Sequence, residues 1–153
     1  MDGLLAPFPI DSRVAALKMA RLYALLHCFE NSIRDLVSER LLEKHGENWW
    51  QNAVSAKIQK YAADVRQKAI EQSWLDGDKG AMIDFVTLGH LTDIMVNSWS
   101  DFEEILPGQD WLRQRMNEIE NIRNFAAHGR VIGEREYNRV LMYIEDWRMQ
   151  IGL

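Results

Sequence analysis

Apolar residues recur along this chain at intervals of three and four, the spacing that gathers them on one face of an α-helix. Val14, Leu17, Leu22, Leu25, Leu26, Phe29, Ile33, Leu36, Val37 and Leu41 define the first and longest run, with Asp11 or Ser12 as its cap and a stop near Gly46. A second run, through Val54, Ile58, Tyr61, Val65 and Ile70, starts at a capping Asn48 and reaches Trp74 before the turn signal Asp76-Gly77. A shorter third segment covers Thr87 to Val96, with Trp99 and Phe102 beyond it, and ends at Pro107-Gly108. Asp110 caps the next helix, whose apolar positions Trp111, Leu112, Ile119, Ile122, Phe125 and Ala126 form the stripe of a core-facing element. After Gly129 to Gly133, a last helix carries Tyr137, Val140, Leu141, Ile144 and Trp147.

Strand signals are weak, and no repeat, low-complexity tract or Pro/Ser-rich linker divides the chain. The pattern therefore predicts an all-α protein, a single helical domain over residues 1–153 built as an up-and-down bundle of about four to five helices. A chain of 153 residues can bury roughly 68 to 70% of its unfolded surface without disulfides or metals to staple it.

Composition adds little to that picture except where it excludes. Hydrophobic residues make up 47% and charged residues 27%, the balance of an ordinary globular protein. No apolar run approaches the ~20 residues of a membrane span, and MDGLLAPFPIDSR lacks the basic start and apolar core of a signal peptide, so a cytoplasmic location is expected. Cys28, the single cysteine, falls within the first helical run, where a buried core thiol is expected. The six tryptophans are scattered over apolar helical positions, which predicts core packing rather than a platform for nucleobases. Trp49 and Trp50 are adjacent and cannot both face one core, which leaves one of them for a subunit contact.

Charge changes the picture more. The net charge of -5 argues against a surface that grips nucleic acid by bulk potential. Its distribution is uneven, however. Residues 111–148 hold seven arginines, no lysine and six acids, a charge of +1, while the remaining eleven cations and seventeen acids give -6. Arginine suits phosphate, because the planar guanidinium can make two parallel hydrogen bonds to it. For Arg113, Arg135 and Arg139 individually, a solvated helix face with local ion pairs is the better reading.

The positive segment contains the one pattern that carries chemistry. With Glu120 set at zero on a helical wheel, Arg123 lies at roughly -60°, Asn124 at +40° and His128 at +80°. These polar groups share an arc opposite the apolar stripe. Gly129 with a histidine beside it is also an ordinary helix stop; the chemical reading of the same residues is a metal-free site for cleaving phosphodiesters. On the first helix, His27, Glu30 and Arg34 share a face, with Glu30 and Arg34 spaced for an i,i+4 ion pair. His45 and His90 stand alone near helix ends and receive no role. There is no HExxH, Cys/His cluster, P-loop or GxGxxG, so neither a metal nor another cofactor is expected.

EIENIRNFAAHGR at 118–130 resembles the Arg-x4-6-His signature of the HEPN superfamily, in which asparagine commonly follows the arginine. Arg123, Asn124 and His128 occupy those positions. FENSIRDLVSERL at 29–41, GENWW at 46–50 and LTDIMVNSWSDFEEIL at 91–106 extend the resemblance over most of the chain. They look like the branch attached to eukaryotic PIN-type RNA endonucleases and found in prokaryotic defence proteins. Arg130 departs from the pattern: HEPN toxins paired with nucleotidyltransferase antitoxins often carry tyrosine there.

The resemblance implies a metal-independent endoribonuclease, a toxin or anti-phage effector, whose products end in a 2′,3′-cyclic phosphate and a 5′-hydroxyl. His128 would move the proton, Arg123 would hold the phosphate and Asn124 would orient one or the other. Glu120 or Glu30 would position Arg123, with Arg130 in support. It also implies a homodimer in which two motif helices build a composite site, and leaves room for an antitoxin or a larger defence assembly. The alternatives are a non-catalytic HEPN-like binding or dimerisation module and a purely structural helical dimer such as an antitoxin or immunity protein.

Overall fold

The computed structural model describes residues 2–72 and 80–153, and among these it contains helices and turns but no strand. The chain is all-α. Five helices have ten or more residues: Ile10–His45, Ala56–Glu71, Leu88–Asn97, Gln109–Ala127 and Glu134–Ile151. Three of four or five residues stand at Asp2–Leu5, Trp49–Ala53 and Trp99–Phe102. In chain order the eight are α1 (Asp2–Leu5), α2 (Ile10–His45), α3 (Trp49–Ala53), α4 (Ala56–Glu71), α5 (Leu88–Asn97), α6 (Trp99–Phe102), α7 (Gln109–Ala127) and α8 (Glu134–Ile151), with a 3₁₀ turn at Met82–Phe85 before α5.

Local chemistry explains most of the boundaries. α2 begins after Pro9, whose carbonyl accepts the Arg13 N–H at 3.0 Å, so Asp11 lies within the first turn instead of capping it. Proline serves there because its fixed φ suits a helix start and its missing N–H would have had no partner. The stop is at Gly46, with φ 77°, a conformation glycine adopts without steric cost. The second predicted helix is two. Val54 is extended, and the Ser55 hydroxyl accepts the Ile58 N–H at 3.4 Å, so α3 ends and α4 starts afresh on a new cap. Asn48 makes no side-chain cap. The expected end of that helix at Trp74 and Asp76-Gly77 lies outside the described residues. Thr87 caps α5 reciprocally with His90: the Thr87 hydroxyl accepts the His90 N–H at 3.1 Å, and His90 Nδ1 accepts the Thr87 N–H at 3.2 Å. His90 therefore has a structural task. α7 starts one residue before Asp110, with the Gly108 carbonyl accepting the Leu112 N–H, and Asp110 sits in its first turn, where the helix dipole favours an acid.

The chain divides into two compact units, Met1–Glu30 with Glu118–Leu153, and Asn31–Asn117. The second is built on buried Ile33, Val37 and Leu41 of α2, Ile58 and Ala62 of α4, Leu91, Ile94 and Met95 of α5, and Leu112 and Met116 of α7. Arg34 is bound within it, donating to the carbonyls of Ile83 (3.3 Å) and Val86 (3.0 Å) and to Asn31 Oδ1 (3.1 Å). His45 pairs with Asp101 at 2.7 Å. In the first unit, Leu22, Leu26 and Phe29 of α2 are buried, as are Ile119 of α7 and Tyr137, Val140, Tyr143 and Trp147 of α8. Phe29 meets Trp147 edge to face, with centroids 6.0 Å apart, an arrangement aromatic quadrupoles favour.

Several apolar positions do not reach a core. Val14 and Leu17 are 59% and 48% exposed, although their spacing matches that of the buried positions further along α2. Cys28 is exposed: it lies about 200° around α2 from buried Leu26, on the solvent side of the stripe. Of the described tryptophans, Trp50 and Trp147 are buried and Trp49, Trp99 and Trp111 are half-buried. Trp111 packs beneath the Arg115 guanidinium, 4.5 Å from the ring centroid. No helix is long and apolar enough to cross a membrane, among the described residues.

Candidate active site

Burial along α7 changes over its length, and that change makes the site. Leu112, Met116 and Ile119 are buried, Ile122 is half-buried, and Phe125 is 41% exposed. Phe125 thus departs from the core stripe expected of it, since the periodicity continues after the packing partners have ended. Arg123, Asn124 and His128 all stand exposed on this last part of the helix. Glu120, one turn earlier, is half-buried.

The helix stops by tightening. The His128 N–H bonds to the Phe125 carbonyl at 3.4 Å and the Gly129 N–H to the Ala126 carbonyl at 3.1 Å, both i to i−3, the pattern of a final 3₁₀ turn. Gly129 then takes φ 74°, the left-handed conformation that ends many helices. His128 is therefore the capping residue just past Ala127, held between a helical turn and a glycine reversal.

Glu30 comes from α2. Its carboxylate is buried, and Oε1 lies 2.7 Å from Nε of Arg123. A carboxylate withdrawn from water must be paired with a cation, and the sequence offered two acids for Arg123. The structure brings Glu30 to it. The contact uses Nε, which leaves the two terminal nitrogens of Arg123 without a partner among the described residues. His27 is exposed and stacks on Tyr23, with centroids 6.1 Å apart.

Other arginines of the positive segment are engaged. Arg113 pairs with Asp93 at 3.2 Å, Arg139 with Glu118 at 3.6 Å and Arg148 with Glu145 at 2.6 Å. Glu118 also accepts the Tyr143 hydroxyl at 2.7 Å, tying α7 to α8 through a group that periodicity had not singled out. Arg130 lies over the Phe125 ring, 5.4 Å from its centroid.

A feature missed in the sequence lies beside the motif. An open cavity of about 410 Å³ is lined by Asn121, Ile122 and Phe125 of α7, by Val131, Ile132 and Gly133 of the connection, and by Glu136 of α8. Its one legible sign was the apolar pair Val131-Ile132 in an otherwise polar link. Among the described residues, no group of three or more His, Cys, Asp or Glu side chains is placed to hold a metal ion. A family model described as Swt1-like HEPN matches residues 24–152. No curated protein and no solved structure matches the chain.

Proposed function

The chain belongs to the Swt1-like HEPN family, and on that premise we propose that it is a metal-independent endoribonuclease acting in the cytoplasm as a toxin or anti-phage effector. The observation that carries this reading is the Glu30–Arg123 pair at 2.7 Å, which steadies an exposed guanidinium on the same helix end as an exposed imidazole.

RNA brings its own nucleophile. In the proposed reaction the 2′-oxygen forms a bond to the adjacent phosphorus, the bond from phosphorus to the 5′-oxygen breaks, a proton leaves the 2′-hydroxyl and a proton arrives on the departing 5′-oxygen. The fragments then end in a 2′,3′-cyclic phosphate and a 5′-hydroxyl. His128 exchanges one of those protons, a task for which imidazole is suited at neutral pH. Arg123 binds the phosphate through its terminal nitrogens and stabilises the charge that develops on it. Asn124, at the adjacent position on the wheel, orients the imidazole or a phosphate oxygen, and Glu30 is a positioning residue for Arg123. Glu120 lies within this arc one turn earlier, and Arg130, over the Phe125 ring, adds a further cation.

One imidazole cannot be acid and base at once within a single cleavage event. We therefore assign the active form to a homodimer in which a second His128 supplies the other proton transfer. Full activity in a protein that light scattering finds monomeric at assay concentration would exclude this. The net charge of -5 supports a second reading, a binding or dimerisation module with a protein partner such as an antitoxin, since bulk charge does not draw RNA to it.

The experiment that separates the readings is cleavage of a labelled single-stranded RNA and a tRNA pool in EDTA, with end-group analysis, by wild type and His128→Ala. Cyclic-phosphate ends from wild type alone support the nuclease. Inactivity of both, in a folded dimer, favours the binding module.

A further inference from the structure

The cavity beside the motif is large enough, at about 410 Å³, to hold a small organic group. It also lies on the reactive flank of α7. On the wheel that places Glu120 at zero, Asn121 falls at roughly +100° and Phe125 at roughly +140°, next to His128 at +80°, while Arg123 lies at -60°. The tightened last turn, with its i to i−3 bonds, rotates His128 further toward Phe125. The cavity and the phosphate-binding guanidinium thus flank the imidazole on its two sides.

Its walls are those of a base-binding slot. Phe125 contributes an aromatic ring with 41% of its surface exposed, and the Arg130 guanidinium lies over that ring without lining the cavity. Ile122, Val131 and Ile132 supply apolar contact, and the polar lining is the Asn121 amide and the Glu136 carboxylate, with no cation. Glu136 makes no ion pair or hydrogen bond among the described residues. Gly133 gives that carboxylate its place: a Cβ there would come within 2.6 Å of Glu136 Oε2. Glu136 also stands in the first turn of α8, a place where the helix dipole favours an acidic residue.

An ionised carboxylate only accepts, through two oxygens side by side. Guanine meets it with two adjacent donors on its Watson–Crick edge, N1–H and the N2 amino group. Adenine and cytosine each set an acceptor nitrogen beside their amino group, and uracil has one N–H between two carbonyls. Unstacked bases of single-stranded RNA are commonly read this way, by an aromatic face and the base edge together.

We infer that the cavity walled by Phe125 and Glu136 is a base subsite that takes a guanine of single-stranded RNA adjacent to the scissile phosphate. The inference rests on the ribonuclease reading for the position of that phosphate. Base preference is separable from it, because it can be read by binding alone.

Binding of GMP and AMP to the intact protein, measured by calorimetry in EDTA, is compared for wild type, Glu136→Gln and Phe125→Ala, and the cut sites of wild type and Glu136→Gln on RNA are mapped. GMP is expected to bind about tenfold or more tightly than AMP, the discrimination of a good bidentate contact, and Glu136→Gln is expected to collapse that ratio. Phe125→Ala is expected to weaken both ligands about tenfold by removing the stacking face. Cleavage is expected next to guanine, with that preference lost in Glu136→Gln. Equal binding of GMP and AMP, or a preference that survives Glu136→Gln, overturns the subsite. If wild type cuts RNA to cyclic-phosphate ends with no base preference, the subsite falls and the nuclease stands. If GMP is preferred through Glu136 while no RNA is cut, the guanine site stands and the nuclease reading falls.

Discussion

Oε1 of Glu30 and Nε of Arg123 lie 2.7 Å apart, with the carboxylate 9% exposed and the guanidinium 45% exposed. The pair is asymmetric: the acid depends on the arginine, whereas the arginine could be solvated without the acid. Arg123→Ala is therefore expected to destabilise the protein by taking a cation away from a buried carboxylate. Breaking a fully buried pair costs about 3–5 kcal/mol, and the half-exposed guanidinium reduces that here to about 1–2 kcal/mol. Adding Glu30→Gln should return part of the loss. Urea denaturation of the two single variants and the double variant measures the coupling, and strictly additive losses would show that the pair contributes nothing.

Glu30→Gln alone tests positioning. It keeps the shape of the side chain but removes the charge that steadies Arg123. We expect kcat to fall by about tenfold while the fold is kept, and Arg123→Lys to lose about 10²-fold or more, because a point charge cannot hold both the carboxylate and a phosphate. Single-turnover cleavage with circular dichroism as a control reads both. Unchanged kcat in Glu30→Gln would remove that residue from the mechanism.

Gly129 has φ 74° and nothing within 4 Å of a Cβ built on it. Gly129→Ala would thus pay only for backbone strain, about 1–2 kcal/mol, with no clash to add. Because Gly129 follows His128 directly, the same variant should lower cleavage more than thermal stability suggests. His128→Ala, by contrast, should lose about 10² to 10⁴-fold in kcat with the melting temperature nearly unchanged, as expected for an exposed side chain.

Two apolar residues of α7 should behave oppositely. Ile119 is fully buried and Phe125 is 41% exposed. Ile119→Ala is expected to cost about 2–5 kcal/mol through lost burial and the cavity left behind. Phe125→Ala is expected to change stability by about 0.5 kcal/mol or less. A large loss in Phe125→Ala would mean that a packing partner covers it in solution.

The end of α8 should respond to acid. The hydrogen bond from Arg148 holds the Glu145 carboxyl below its ordinary value of 4.5. A carboxyl whose pKa is lowered by folding lends stability above its unfolded pKa and loses it as pH falls through the lower, folded one. Arg148 also donates to the Leu153 carbonyl at 2.6 Å. Below pH 4.5, therefore, hydrogen-exchange protection, taken relative to the intrinsic rate at each pH, should fall at the last turn of α8 before it falls in the middle of that helix. Since both partners are solvent-exposed, the effect should stay local.

What could be read without coordinates was whatever depends on neighbours along the chain. Helical periodicity, the glycine stops at Gly46 and Gly129 and the threonine start of α5 all arise from bonds spanning a few residues, and the all-α class follows from them. The alignment of Arg123, Asn124 and His128 on one arc of α7 was visible for the same reason. Ser55 was a cap of the same local kind, passed over because the apolar spacing runs on through it.

Tertiary structure decided how far burial extends and which distant groups meet. Periodicity defines the face that a helix can bury, but only a neighbour can bury it, so Val14, Leu17 and Phe125 keep the right spacing and still face solvent. Cys28 is exposed because the stripe of α2 runs along the other side. The i,i+4 spacing of Glu30 and Arg34 could be read along the chain, but the carbonyls of Ile83 and Val86 that Arg34 donates to, and the Arg123 that Glu30 meets, could not. A buried charge is settled by whichever counter-ion the fold delivers to it, and that choice is made across space rather than along the chain.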